Sequence, residues 1–182
     1  MNVLLCVSGG IAAYRACELV SLATKAQHAV RIVMTHNALK FVGSTSFEAL
    51  SRNPVMADTF ADALGHIDLA KWADVAVVAP ASANFLGKLA CGLADDAPST
   101  VLMALPRGRR VVVAPAMNTE MWLNPVVVRN LQWLKELGRY DIVAPTEKRL
   151  ACGDVGPGGL AEPADILAQI EESGQRAGGQ AG

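Results

Sequence analysis

Five short runs, Val3–Val7, Val30–Met34, Val75–Ala79, Val111–Ala114 and Ile142–Ala144, consist almost wholly of Val, Ile, Leu, Ala and Met. A strand with one wet face alternates polar and apolar residues. Most of these runs do not alternate, so they are buried on both faces, as in a parallel sheet covered by helices. Between them lie stretches with helical spacing, Ala12–Ala26, Asn84–Cys91, Ser99–Ala104 and Pro125–Leu137, with Gly138 as a stop and a last helix over Ala164–Glu171 behind Pro163. Strand and helix alternating in this way impose right-handed crossovers. The predicted fold is α/β, a doubly wound parallel sheet in a Rossmann-like sandwich.

The chain has 182 residues, of which 52% are hydrophobic and 18% charged, enough for one sizeable core and too apolar for a disordered protein. With 16 basic against 17 acidic side chains and a net charge of -1, no electrostatic reason exists to expect a nucleic acid or an anionic membrane as partner. Gly, Pro, Arg or Asp interrupts every apolar run well before the roughly 20 residues of a membrane span. The opening Met1-Asn2-Val3 has no basic leader, and a cytoplasmic location is expected. Residues 173–182 are poor in apolar side chains and read as a flexible tail after a domain over 1–172. Cys6, Cys17, Cys91 and Cys152 show no C-x-x-C spacing; they read as free thiols, and no metal site is expected.

In doubly wound sheets the ligand occupies the crevice beyond the carboxyl ends of the strands. The segments there are Ser8-Gly9-Gly10-Ile11, Thr35-His36-Asn37, Pro80-Ala81-Ser82-Ala83-Asn84 and Pro115-Ala116-Met117-Asn118. Ser8-Gly9-Gly10 running into a helix lets backbone N–H groups approach a phosphate with no Cβ in the way; the plainer reading is a tight turn without a ligand. No G-x-G-x-x-G or G-K-[ST] occurs, and Thr35 stands where a dinucleotide fold places an acid, which argues against NAD and nucleoside triphosphates. Uncharged Ser82, Asn84, Ser99 and Thr100 suit a mononucleotide phosphate or a flavin ring edge, although Ser82 and Ser99 taken singly also read as helix caps.

Two further residues carry chemistry. A lone histidine is usually a surface or satisfied core residue, but His66, after Gly65 at the start of a short apolar helix, could instead aim an imidazole across a cleft as a base near neutral pH. Cys152, in the Gly-rich Ala151-Cys152-Gly153-Asp154-Val155-Gly156-Pro157-Gly158-Gly159, is less easily explained by packing than the other thiols; the sharper reading is an active-site acid or nucleophile on a mobile loop, the plainer one an incidental loop cysteine.

Four segments together, Ser8-Gly9-Gly10-Ile11-Ala12-Ala13-Tyr14, Gly65-His66-Ile67 through Asn84, Pro115-Ala116-Met117-Asn118-Thr119-Glu120-Met121-Trp122 and Ala151-Cys152-Gly153-Asp154-x-Gly-x-Gly, carry a family signature. The sequence resembles the homo-oligomeric flavin-containing cysteine decarboxylases over residues 1 to 170. The resemblance implies a flavoprotein sandwich assembled as a homotrimer or dodecamer. It also implies FMN bound between subunits through Ser8, Gly9, Gly10, Ile11, Thr35, Ser82, Ala83, Asn84, Ser99 and Met117. By the same resemblance His66 is catalytic, Asn118 holds the substrate carboxylate, and Met121, Ala151, Cys152 and Gly153 complete the substrate site under a closing loop. The implied chemistry oxidises a terminal cysteinyl CH2–SH to a thioaldehyde, whose C=S group accepts the electrons left when CO2 departs, giving an enethiol.

Members of that family act on phosphopantothenoylcysteine, in coenzyme A synthesis, or on the C-terminal Cys of ribosomally made peptides. This chain weighs both ways. Gly159 and Leu160 stand where bacterial coenzyme A enzymes commonly carry Arg and Met, which removes a fixed anion partner, whereas a retained Cys152 could return a proton when the enethiol is reduced. Some proteins of this fold are non-catalytic flavin-binding regulatory subunits, often with acidic tails. The single charge in residues 173–182, Arg176, counts against that alternative.

Overall fold

The structure, a computed structural model, describes residues 1–62, 64–149 and 155–178. Six strands form one parallel sheet: β1 (Asn2–Val7), β2 (Ala29–Met34), β3 (Val55–Met56), β4 (Val75–Ala81), β5 (Arg110–Pro115) and β6 (Tyr140–Ile142), in the order β3-β2-β1-β4-β5-β6. Helices α1 (Arg15–Lys25), α2 (Ser44–Ser51), α3 (Gly65–Trp72), α4 (Ala83–Cys91), α5 (Ala97–Ala104), α6 (Thr119–Leu123), α7 (Pro125–Glu136) and α8 (Pro163–Gly178) surround it. A separate antiparallel hairpin joins β7 (Thr146–Arg149) to β8 (Val155–Gly159).

The uniformly apolar strands are what let helices cover both faces. Along β1 and β4 alternate residues enter different cores. Val3, Leu5, Val7, Val75 and Val77 pack with Leu19 and Val20 of α1, Phe47 of α2 and Ile166 and Ile170 of α8. Leu4, Cys6, Ala76 and Val78 pack with Ala70 of α3, Phe85 and Leu86 of α4, Val101 of α5 and Leu131 and Leu134 of α7. Chain order runs outward from β1 in one direction and outward from β4 in the other. The switch point therefore lies between these two strands, and the crevice opens beyond Val7 and Ala81.

Local signals set the helix ends. The Ser82 hydroxyl accepts the Phe85 N–H and caps α4, which stops at Gly92 in the left-handed region (φ 69°). Asp96 and Ser99 form a reciprocal box at the start of α5, and Asn124 with Pro125 opens α7.

Three expectations differ from what is observed. The sixth strand begins at Tyr140, paired to Val111, and not at Ile142, because register with β5 decides its bounds. The Gly-rich loop through Gly159 contains β8: glycines and Pro157 are tolerated in a two-stranded hairpin that has no central-strand neighbour to satisfy. The tail from residue 173 is helical through Gly178, because Ser173 is fully buried and its hydroxyl donates to Asp141 at 2.7 Å.

Asp141 on β6 is a hub. Arg110 donates to it from Nε and Nη2, both at 2.6 Å, and Arg176 of α8 stands 3.6 Å away. Burial alone would push this carboxyl up, but the Arg110 fork, the Ser173 hydroxyl and the two positive charges outweigh it and hold it below the ordinary carboxylate range. A carboxyl held low in the folded chain contributes stability above its unfolded-state pKa of about 4 and gives it up as pH falls through the lower folded value. Asp141→Asn is expected to unfold at a lower temperature than the parent at neutral pH, with the gap closing between about pH 5 and pH 3. A gap that stayed constant over that range in a thermal melt series would contradict the assignment.

Candidate active site

The crevice floor is fastened by Ser8. Its hydroxyl donates to the Pro80 carbonyl at 2.8 Å and accepts the Ser82 N–H at 2.9 Å, so the ends of β1 and β4 are joined across the switch point. At Gly9 a Cβ would stand 2.7 Å from Cβ of Asn37, so only glycine lets the turn pass the end of β2. Gly10, by contrast, faces open space, and its carbonyl accepts the Ala13 N–H to start a 3-10 turn, Ile11–Tyr14, that leads into α1.

Above this floor is a cavity of about 610 Å3, in the usual size range for small-ligand sites. Gly9 to Ala12, Tyr14, Arg15 and Ser82 form one side; Met117, Asn118, Met121 and Gly158 to Leu160 form the other. Its rim carries unusually exposed apolar side chains: Ile11 and Tyr14 are each 62% exposed, and Met121 45%. Its one basic side chain among the described residues, Arg15, is held by Glu162 through Nη2–Oε2 at 2.6 Å and Nη1–Oε1 at 3.3 Å. The wall is thus mainly apolar with hydrogen-bonding groups and little free charge.

Asn118 is placed by two constraints. It is the N-cap of α6: its Oδ1 accepts the Met121 N–H at 2.8 Å, and the residue lines the cavity with its Nδ2 making no hydrogen bond among the described residues. Its neighbours are pinned by β8. The Met117 N–H donates to the Gly158 carbonyl at 2.9 Å and the Thr119 hydroxyl to the Pro157 carbonyl at 3.1 Å. The approach is so close that a Cβ on Gly158, whose φ is 132°, would stand 2.3 Å from the Met117 carbonyl oxygen.

Among the residues singled out from the sequence, Gly9, Gly10, Ile11, Ser82, Ala83, Met117, Asn118 and Met121 line this cavity. Others do not. The hydroxyl of Thr35 is spent on the Ala38 N–H and that of Ser99 on Asp96, and both residues are buried. Ser8 lies beneath the floor, fastening it. Asn84 faces a second groove. His66, at the start of α3, lines neither; its Nδ1 is buried and has no hydrogen-bond partner among the described residues. Ala151, Cys152 and Gly153 lie outside the described residues. Burial pushes the Cys6 and Cys17 thiols up, Cys6 far beyond the physiological range, so neither serves as a thiolate.

The sequence reading overlooked Arg15, Glu162 and the contact face of β8. An Arg one turn after Gly-Gly is an ordinary helix residue by pattern, and its partner lies 147 positions away. No local signal could have paired them. Among the described residues no cluster of three His, Cys, Asp or Glu could hold a metal, and no helix is long and apolar enough to cross a membrane.

Residues 1–174 match the Flavoprotein family model. The chain is 48% identical over 175 residues to the coenzyme A biosynthesis bifunctional protein CoaBC of Bacillus subtilis, covering 94% of this chain and 42% of that relative. It thus spans about two fifths of the length of the first curated relatives it matches, at 42% and 41%. It superposes on a cysteine-to-serine mutant of PPC decarboxylase complexed with pantothenoylaminoethenethiol with a TM-score of 0.83 and 38% identity, covering 94% of this chain and 96% of that one. For the FMN-dependent cysteine decarboxylase SpaF the TM-score is 0.84 and the identity 32%, over 98% and 97% of the two chains.

Proposed function

The chain belongs to the Flavoprotein family, and from that premise we propose that it is an FMN-dependent decarboxylase of a terminal cysteinyl carboxylate. The observation that carries the reading is Asn118: a cavity-lining side-chain amide at the switch point whose oxygen is tied to α6, which leaves its nitrogen as the group available to donate. The similarity to a PPC decarboxylase and to SpaF supports it.

The residues present fit the cofactor. Gly10 leaves a side-chain-free opening beside the start of α1, where Gly9 and Gly10 would hold the phosphate through backbone N–H groups, and Ile11, Ser82, Ala83 and Met117 would hold the ring. FMN supplies a two-electron oxidant, without which loss of CO2 would leave a carbanion with no delocalisation.

The chain's own residues then do the following. Asn118 donates to the substrate carboxylate and fixes the C–C bond that breaks. Met121 and the face of β8 cover the sulfur-bearing carbon and keep water away, which strengthens that hydrogen bond. Arg15 stays neutralised by Glu162, so it does not compete for the carboxylate. His66 takes the thiol proton as the CH2–SH group is oxidised. It lies outside the cavity of its own chain, and we assign it to the site of a second copy in a homotrimer; the exposed Ile11 and Tyr14 at the rim support such a cover. Cys152 is the proposed donor of the proton that accompanies the hydride returned by the reduced cofactor, the two together turning the enethiol into a saturated thiol.

The substrate favoured is phosphopantothenoylcysteine, on the strength of 48% identity to CoaBC against 32% to SpaF. A peptide ending in Cys is the second reading, favoured by Gly159, which offers the cavity no cation. Purified protein incubated with each substrate is expected to give a product lighter by about 44 Da (CO2) if the enethiol is reduced, or by about 46 Da if it leaves oxidised. Recovery of both substrates unchanged from an FMN-loaded preparation would overturn the proposal.

A further inference from the structure

A second groove of about 650 Å3 runs between α4 and α7. It shares Ala83 and Met121 with the first cavity, so the two are neighbours across these residues. Its charges are unequal in their partners. Lys88 is neutralised by Asp95 and Asp96, both at 2.6 Å. Arg129 in the same lining has no carboxylate partner among the described residues; its Nε and Nη2 donate to Oδ1 of Asn130, at 3.3 and 2.9 Å.

That contact orients the guanidinium. Asn130 is only 5% exposed, and its other amide atom, Nδ2, lies below Gly87, where an added Cβ would meet it at 3.9 Å. A buried neutral amide thus holds one edge of Arg129 still while the remaining N–H groups stay unpaired, in the fork geometry that suits two oxygens of an oxyanion. Gly87 leaves the groove floor low beside it.

We infer that this groove is the subsite for the acyl arm on the cysteine nitrogen, and that Arg129, positioned by Asn130, binds a phosphate monoester at the end of that arm. The inference rests on the decarboxylase reading and deepens it. The same oxyanion chemistry could come from an acidic side chain of a peptide, so the test separates the two.

Calorimetric titration of FMN-loaded protein with 4′-phosphopantothenate, with pantothenate, and with a short peptide carrying an acidic residue before its C-terminal Cys compares these ligands without turnover. The phosphorylated compound is expected to bind about 10- to 100-fold tighter than pantothenate in the parent chain, the range of a charge-assisted hydrogen bond. In Arg129→Gln that ratio is expected to fall to near one, and in Arg129→Lys to recover in part, which loss of folding would not produce. An unchanged ratio in Arg129→Gln, no preference for the phosphorylated compound in the parent, or a stronger dependence on Arg129 for the peptide would overturn the assignment. Product masses decide the underlying reading separately. CO2 loss from a cysteinyl substrate together with an unaltered phosphate preference refutes the groove alone.

Discussion

Asn118→Asp is expected to lower kcat/KM by at least about 100-fold while leaving the melting temperature nearly unchanged, because a single preorganised donor of this kind is worth roughly 10²- to 10³-fold. The substitution is isosteric and separates two roles of one side chain. The Oδ1 that accepts the Met121 N–H at 2.8 Å remains, so α6 keeps its cap. In the proposed site the Nδ2 donor becomes an anionic oxygen beside the substrate carboxylate, and attraction turns to repulsion. Alanine would be a poorer test, since losing the cap costs about 1 kcal/mol and blurs the two effects. Steady-state kinetics beside a thermal melt checks the claim; an active Asp variant would remove Asn118 from the chemistry.

Gly158→Ala is expected to cut turnover about 10-fold or more through a contact that never touches the substrate. The new methyl would stand 2.3 Å from the Met117 carbonyl oxygen, at a backbone φ of 132° where L-residues are strained. Strain of either kind costs about 1–3 kcal/mol. The cheapest relief is for β8 to lift from residues 117–119, which breaks the 2.9 Å bond from the Met117 N–H and the 3.1 Å bond from the Thr119 hydroxyl. Asn118 then keeps its cap but loses its fixed direction. Hydrogen exchange is the discriminating measurement: the Met117 amide should lose protection while β1 and β4 keep theirs. Unchanged protection at Met117 with normal activity would show that β8 tolerates the methyl.

The legible parts of this fold were those written in local pattern. Val3–Val7 and Val75–Ala79 announce buried strands because each residue meets one of two cores and none meets water. Gly9 and the Met117-Asn118 pair were legible as site elements because they follow such strands directly. Thr35 and Ser99 were not separable from ligand-binding hydroxyls, because a helix or turn cap and a ligand contact use the same residue types. The hairpin was illegible for another reason. Thr146-Glu147-Lys148-Arg149 and Val155-Gly156-Pro157-Gly158-Gly159 carry no alternating apolar pattern, and what holds β8 against Met117 is backbone hydrogen bonding and the room left by Gly158. The role proposed for His66 rests on another copy of the chain, which no single-chain pattern encodes.

The engagement of Ser173 and Arg176 with Asp141 sets where this protein can be cut or extended. A stop codon after residue 172, inviting on composition alone, would delete both partners and strip α8 of its last turns, leaving the edge strand β6 with Arg110 as its remaining clasp. Gly174 of α8 packs beside Met1 and Val75, at the end of the sheet opposite the crevice, so an affinity tag or fused domain attached after α8 is expected to leave the crevice undisturbed.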